Sequence, residues 1–246
     1  MSDSHPVLYS YRRCPYAMRA RMGLYLSEIQ VEQREIEFWD KPASMLQASP
    51  KGTVPVLVLP DGRVVEESFD IMLWALPQRD TYQWLNSNGD LPSEQSALVG
   101  QCDEEFKPHL DHYKYADRFP QKSAKAYRAL GEHFLQQLED RLQANLCQTD
   151  EQYLFGAHIS LADIAIFPFI RQFAHVDKEW FATAGYPALR QWLMQQMEAD
   201  YFKAIMKNRP KWEAGHVPLW LDEPELMTKD QFRKKAQGMD GKSKSH

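Results

Sequence analysis

Cys14 is the side chain of this sequence best suited to nucleophilic chemistry. It stands directly before Pro15, in the stretch YRRCPYAMRA, and four arginines lie nearby in the chain: Arg12, Arg13, Arg19 and Arg21. Because proline favours the first turn of a helix, the pair predicts a helix that begins at Pro15, with the thiol at its N-terminus. Unpaired N–H groups and the helix dipole favour thiolate there, and such positions lower a cysteine pKa from about 8.5 to roughly 3.5–7.5. We therefore predict a reactive thiol at Cys14, against the alternative of a buried structural one.

Ala17 indicates which kind of thiol chemistry is open to this site. A dithiol oxidoreductase carries its second cysteine at this spacing from the first, and this chain has alanine there. Without that resolving thiol, Cys14 must release a mixed disulfide with the help of an external thiol. The sequence therefore predicts a monothiol mechanism.

Pro55, in the stretch TVPVL, opens a predicted third strand. In this position the Val54–Pro55 bond is a candidate cis peptide. A cis bond would turn the Val54 N–H and C=O away from the sheet, where they can pair with an extended, peptide-like ligand beside Cys14. The alternative is an edge-strand proline that serves no ligand.

Glu67 and Ser68 stand at the start of a predicted helix. A hydroxyl together with free N–H groups at a helix start suits a ligand carboxylate, and Glu67 can pair with a ligand ammonium. The two residues would then recognise an amino-acid head group. The alternative is that Ser68 is an ordinary N-cap.

Two other polar clusters have structural interpretations. Ser160 and Asp163 precede an apolar run at capping-box spacing, so we assign Asp163 to folding rather than to catalysis. His109 and His112 lie three apart on a predicted helix, but further suitable ligands are not evident, and we predict no metal site.

The elements that must position Cys14, Val54 and Ser68 alternate between strand and helix. The predicted strands cover 7–11 and 31–38, and VPVLVL and RVVEE follow as a hairpin that turns at PDG. Helices are predicted from Pro15, after Pro42, and from Ser68 until Pro77. This order, βαβαββα, predicts a thioredoxin-like α/β N-terminal domain over residues 1–80.

Strand patterns are absent from the rest of the sequence. A polar linker is predicted over 81–93, and an all-α helical C-terminal domain over 94–210. A C-terminal extension, 211–246, follows; its polar, Gly/Lys/Ser-rich end predicts partial flexibility. Its WEAGHVPLWL segment is apolar enough to fold back onto the protein. The predicted helices of the second domain cover 94–117, 124–144, 160–173 and 187–207.

The composition narrows the class of protein. The chain has 246 residues, 43% of them hydrophobic and 26% charged, with a net charge of −5. This balance argues against nucleic acid or an anionic membrane as the main partner. Three cysteines are too few for a disulfide framework, and we find neither a signal pattern nor an apolar stretch of bilayer length. We therefore predict a cytoplasmic protein.

Three stretches, CPYAMRAR, SPKGTVPVLVLPDGRVVEES and SLAD, together resemble the cytosolic glutathione transferase superfamily. The resemblance is to its cysteine-type members, the omega-like class and the related dehydroascorbate reductases, and it extends from about Val7 to about residue 207. It implies that Cys14 is the nucleophile, that glutathione is the co-substrate, and that the protein is a homodimer. The residues that it implies in glutathione binding are Tyr16, Lys41, Val54, Pro55, Glu67 and Ser68.

The same resemblance implies how these residues share the tripeptide. Lys41, just before a proline, would contact the glycyl end, and Val54 would hydrogen-bond the cysteinyl backbone. Glu67 and Ser68 would hold the γ-glutamyl group.

The function that the resemblance implies is a glutathione-dependent thiol transferase, acting on mixed disulfides, dehydroascorbate-type substrates or glutathionyl adducts. One alternative is conjugation of glutathione to small electrophiles. That reaction needs a free glutathione thiolate, usually held by a Ser or Tyr hydroxyl, and Tyr9 and Tyr11 are near in sequence. A second alternative is a non-catalytic adaptor, which the complete set of glutathione residues disfavours.

Overall fold

The structure, a computed structural model, describes residues 5–145 and 153–223. Cys147 and the end of the predicted flexible extension, from residue 224, lie outside these ranges. Of the described residues, 5–79 and 200–223 form one compact unit, and the rest of the chain, from 80 to 199, forms a second. Among the described residues, no helix is both long and apolar enough to cross a membrane.

The first unit is built on a four-stranded sheet in the order β2-β1-β3-β4. Strands β1 and β2 are parallel, and β3 runs antiparallel both to β1 and to β4. The chain order is βαβαββα, which confirms the predicted thioredoxin-like arrangement. The elements are β1 Val7–Ser10, α1 Pro15–Leu26, β2 Glu32–Glu35, α2 Ala43–Ala48, β3 Val56–Val58, β4 Val64–Val65 and α3 Ser68–Ala75, with a 3₁₀ turn at Leu76–Gln78.

Helix α1 is buried on nearly every side. The sequence pattern predicts a single apolar face that continues to Ile29, but the helix ends at Leu26, and even Arg19 and Arg21 are inside. The helix packs both on α3 and on the helix Asp200–Ile205. The contact with α3 is close: a Cβ added at Gly23 would lie only 2.6 Å from a side-chain carbon of Met72.

The second unit consists of helices in its described part. They are α4 Ser93–Gln101, α5 Lys107–Lys114, α6 Ala124–Asn145, α7 Leu161–Ala174, α8 Lys178–Thr183 and α9 Pro187–Glu198, with a π-helical segment at Cys102–Phe106 and a 3₁₀ turn at Ala116–Arg118. The predicted linker 81–93 is not a free connection. Within it, Trp84 is buried and its Nε1 donates to the Ile159 carbonyl at 2.9 Å.

The predicted capping box at the start of α7 is present. The Ser160 side chain accepts from the Asp163 N–H, and Asp163 accepts in return from the Ser160 N–H at 2.8 Å. Asp163 is fully buried and also accepts from Trp192 Nε1 at 2.8 Å and from the Leu154 N–H at 2.9 Å. These contacts agree with the assignment of Asp163 to folding.

The end of the described chain belongs to the first unit. The prediction that the WEAGHVPLWL segment folds back onto the protein is confirmed, but the sequence did not indicate onto which unit. The predicted helix 187–207 is interrupted at Ala199, where the backbone is extended, and α10, Asp200–Ile205, packs on α1. The division therefore falls before Asp200 rather than at residue 210. Helix α10 packs on α1 and buries Phe202 and Ile205, and it therefore belongs to the first unit.

Residues 206–223, here called the C-terminal strap, run along the outer edge of β2. The Trp212 N–H donates to the Glu35 carbonyl at 2.8 Å, and the Gln33 N–H donates to the Leu219 carbonyl at 2.8 Å. An edge strand has unpaired backbone groups that need partners. The strap supplies them for β2.

Candidate active site

Cys14 is the N-cap of α1, so the predicted helix start at Pro15 is confirmed. The Cys14 N–H donates to the Tyr11 carbonyl at 3.0 Å, which closes a turn between β1 and the helix. The thiol is partly buried, and no side-chain hydrogen bond caps the helix. The sulfur therefore lies at the positive end of α1, where a negative charge is favoured.

Val54 lies beside the thiol, across from the turn. The Val54–Pro55 peptide bond is cis, and the Cys14 Sγ donates to the Val54 carbonyl at 3.7 Å. Among the described residues, no backbone carbonyl accepts from the Val54 N–H. Strand β3 begins only at Val56, so the backbone of Val54 is outside the sheet and next to the sulfur.

Glu67 is the N-cap of α3, and Ser68 is the first residue of that helix. The alternative that Ser68 is an ordinary N-cap is therefore wrong, because the N-cap is the preceding residue. No side-chain hydrogen bond caps α3. Ser68 is buried, and its hydroxyl accepts from Arg19 Nη1 at 3.5 Å. Glu67 is exposed and pairs with Lys51, and this hydrogen bond raises the pKa of the Lys51 ammonium.

Tyr16 and Lys41 complete the predicted set. The Tyr16 ring lies 5.9 Å from the guanidinium of Arg19, the residue that also contacts Ser68. A Cβ built on Gly52 would lie 3.5 Å from the Lys41 Nζ, so the ammonium lies over the loop that leads to Val54. The structure thus places Cys14 against Val54, and Arg19 lies between Tyr16 and Ser68. Lys41 lies over Gly52, in the loop before Val54.

Sequence reasoning missed the roles of two basic residues. Arg19 was one of four arginines whose directions the sequence does not show; here it is buried and links α1 to the start of α3. The sequence analysis gives Lys51 no role, yet it pairs with Glu67, the carboxylate expected to bind a ligand ammonium. Its position two residues before the TVPVL stretch is the signal in the sequence that could have indicated this.

The two tyrosines considered for conjugation are engaged elsewhere. The Tyr9 ring is buried, and its hydroxyl donates to Ser44 Oγ at 2.8 Å and accepts from Arg34 Nη1 at 3.0 Å. The Tyr11 hydroxyl accepts from Arg13 Nη2 at 2.9 Å.

Among the described residues, no group of three or more His, Cys, Asp or Glu side chains is placed to hold a metal.

Comparison with known proteins identifies the family. Residues 8–81 match the model of the glutathione S-transferase N-terminal domain, and residues 116–193 match that of the C-terminal domain of the same family. Both units therefore point to one assignment. The chain belongs to the glutathione S-transferase superfamily.

Individual relatives are distant. A probable maleylacetoacetate isomerase from Caenorhabditis elegans is 25% identical over 172 residues, which cover 69% of this chain and 79% of the relative. A glutathione S-transferase from Arabidopsis thaliana is 26% identical over 215 residues, or 85% of each chain.

Solved structures share the fold at lower identity. A glutathione transferase family member from Pseudomonas fluorescens with two glutathione bound superposes with a TM-score of 0.67 at 17% identity, over 81% of this chain and 91% of that one. Glutathione transferase Omega 3C from Trametes versicolor superposes with a TM-score of 0.63 at 20% identity, over 81% and 88%.

Proposed function

We propose that this protein is a cysteine-type, omega-like glutathione transferase that acts as a glutathione-dependent thiol transferase. The observation that carries the proposal is the position of Cys14. Its partly buried sulfur lies at the uncapped N-terminus of α1 and contacts the Val54 carbonyl at 3.7 Å. A thiolate there is stabilised by the helix and stands beside backbone that an extended peptide can pair with.

Glutathione would bind along the first unit, where four residues would contact its three amino-acid parts. The Val54 N–H is available to the cysteinyl backbone, and the uncapped start of α3 at Ser68 suits the γ-glutamyl carboxylate. Lys41 would neutralise the glycyl carboxylate. Glu67 would leave its ion pair with Lys51 and pair with the ligand ammonium instead. The Lys51–Glu67 pair is exposed, so breaking it costs little free energy. Glutathione bound in the Pseudomonas fluorescens neighbour supports this choice of ligand.

The reaction then takes two displacements. The Cys14 thiolate attacks the glutathionyl sulfur of a mixed disulfide, a Cys14–glutathione disulfide forms, and the substrate leaves as a thiolate that takes a proton from water. A second glutathione, as thiolate, attacks the glutathionyl sulfur of this disulfide, releases oxidised glutathione and restores the Cys14 thiolate. A glutathionyl ketone would react in the same way and leave as an enolate, which is then protonated. Dehydroascorbate-type substrates belong to the same thiol-dependent class.

Conjugation to electrophiles is the second candidate, which membership of the superfamily favours. It requires that the bound glutathione thiolate stay free. Cys14 at the helix start would instead exchange with oxidised glutathione or a glutathionyl mixed disulfide and hold the glutathionyl group as a disulfide, and the Tyr9 hydroxyl is already used by Ser44 and Arg34. Thiol transfer is therefore the better supported reaction.

Intact-protein mass spectrometry after exposure to oxidised glutathione tests the proposal. We expect one glutathionyl adduct that a reductant removes, assigned to Cys14 by peptide mapping and lost in Cys14→Ala. Cys102→Ala, which changes a buried thiol of the second unit, is the matched control and should keep the adduct. An unmodified Cys14 in the folded wild-type protein would remove the thiol-transfer mechanism. The homodimer and the cytoplasmic location stay predictions, which light scattering and cell fractionation would test.

A further inference from the structure

The turn that presents Cys14 is held by the side chain of a buried arginine two helical turns further on. Arg21 is fully buried, and its Nη1 donates to Ser10 Oγ at 2.5 Å and to the Tyr11 carbonyl at 3.3 Å. Its Nη2 donates to the Arg12 carbonyl at 2.8 Å. The Tyr11 carbonyl is also the acceptor of the Cys14 N–H, so the guanidinium binds the group that closes the turn.

Glu35 holds the same turn from β2. Its Oε1 accepts from the Arg12 N–H at 2.5 Å and its Oε2 from Gln33 Nε2 at 3.2 Å. Burial raises the pKa of the Glu35 carboxyl, and the charges of Arg21 and Arg12 oppose that rise. The turn before Cys14 thus lies between a buried cation and a buried carboxylate.

The C-terminal strap contributes a second cation to this cluster. Arg209 is mostly buried, its Nη2 donates to the Leu221 carbonyl at 3.0 Å, and its charge interacts with Glu35. Met206, at the start of the strap, accepts from Arg21 Nη2 through its sulfur at 3.8 Å. The strap therefore adds a cation and a methionine sulfur to this cluster.

Arg21 is charged at neutral pH. Burial lowers the pKa of its guanidinium to about 10, and the charges of Glu35 and Cys14 oppose this shift, while Arg209 and Arg12 add to it. These four groups are the charges that face Arg21 from β2, the turn, the helix start and the strap.

We propose that Arg21 is a positioning residue for Cys14, which fixes the turn before the nucleophile and supplies a buried positive charge that stabilises its thiolate. Glu35 balances that charge. The inference rests on the proposed role of Cys14 as the nucleophile. A merely structural Arg21 would satisfy the three acceptors of the turn and leave the ionisation of Cys14 unchanged.

The experiment is the rate of Cys14 alkylation by iodoacetamide as a function of pH, read on the Cys14 peptide by mass spectrometry in the full chain. For Arg21→Gln we expect the midpoint of the rate-against-pH profile to rise by about one pH unit, which lowers the rate by about tenfold at pH values below both midpoints. Arg21→Lys keeps the charge but not the forked contacts, so its midpoint should lie between those of the wild type and Arg21→Gln.

Glu35→Gln provides a test of opposite sign. The amide still accepts from the Arg12 N–H, but the negative charge is gone, so the midpoint should fall below that of the wild type. The matched control is Arg34→Gln, a largely buried arginine of β2 that pairs with Glu32 at 2.7 Å rather than with the turn; its midpoint should be unchanged.

Thermal unfolding of every variant separates charge from folding. If the Arg21 variants melt earlier but alkylate with the wild-type profile, Arg21 is structural only and the proposal is overturned. If they do not fold, Glu35→Gln decides: a lower midpoint supports the proposal, and an unchanged or higher one refutes it. Alkylation does not require glutathione, so a missing glutathionyl adduct with these shifts intact would refute the proposed function alone.

Discussion

The contact between α1 and α3 at Gly23 allows a quantitative test of how the site is supported. A Cβ at this position would lie 2.6 Å from the Met72 Cγ, 3.2 Å from its Cβ and 3.3 Å from its Cα. Carbon atoms that are not bonded prefer about 3.5–4.0 Å. Because the backbone of Met72 is also close, rotation of its side chain cannot remove the whole overlap. Gly23→Ala must therefore push the two helices apart.

The expected size follows from two opposing effects. Overpacking a buried contact costs about 1–3 kcal/mol, and replacing glycine by alanine within a helix contributes about 1 kcal/mol in the other direction. Since backbone must move, we expect a net destabilisation of about 1–2 kcal/mol. For a chain of this size that is a fall in melting temperature of about 2–8 °C. The shift would also separate Arg19 from Ser68 and weaken glutathione binding.

Thermal unfolding in one buffer, with wild type and variant side by side, measures this effect. The matched control is Gly100→Ala in α4, where an added Cβ would meet nothing within 4 Å. That variant should be more stable by up to about 1 kcal/mol. In a Met72→Ala background, Gly23→Ala should cost less than in the wild type. A Gly23→Ala protein as stable as the wild type would show that the close approach does not constrain α1.

Two further substitutions test the strap and the second unit. Leu221→Ala in the strap removes a fully buried side chain and should lower the free energy of unfolding by about 2–4 kcal/mol. The control, Leu46→Ala, changes an exposed side chain and should alter that free energy by less than about 0.5 kcal/mol. Equal melting curves for the two variants would mean that the strap does not stabilise the first unit. Asp163→Ala should leave buried N–H and O–H donors without an acceptor, at about 1–3 kcal/mol each. Urea unfolding should show the larger loss for Asp163→Ala than for Ser160→Ala, and the reverse order would contradict the central role of the carboxylate.

The thioredoxin-like half could be predicted because its signals are local. Pro15 starts a helix, PDG turns a hairpin and Pro77 ends a helix, each through its own backbone geometry. The capping box at Ser160 is local in the same sense, because both partners lie within one helical turn. The structure has all of these features.

The partner of the strap and the direction of α10 could not be predicted in this way, although the apolar WEAGHVPLWL segment indicated that the chain folds back. The pattern over 187–207 suits one continuous helix, and only the packing of α10 on α1 places the end of the described chain in the first unit. Nothing in the residues 206–223 themselves indicates that their partner is β2, which lies far away in sequence. Pairing of this kind is decided by which edge is left open.

The sequence by itself determined that a thiol stands at a helix start, because the order of Cys14 and Pro15 sets local backbone geometry. It also determined the order of strands and helices, through periodicity and turn residues. Only the tertiary structure decided that Arg21 and Glu35 hold the turn before Cys14, and that Arg19 reaches Ser68. The physical reason is that a long charged side chain has many rotamers, and only packing against distant elements selects one and sets the charge that it presents.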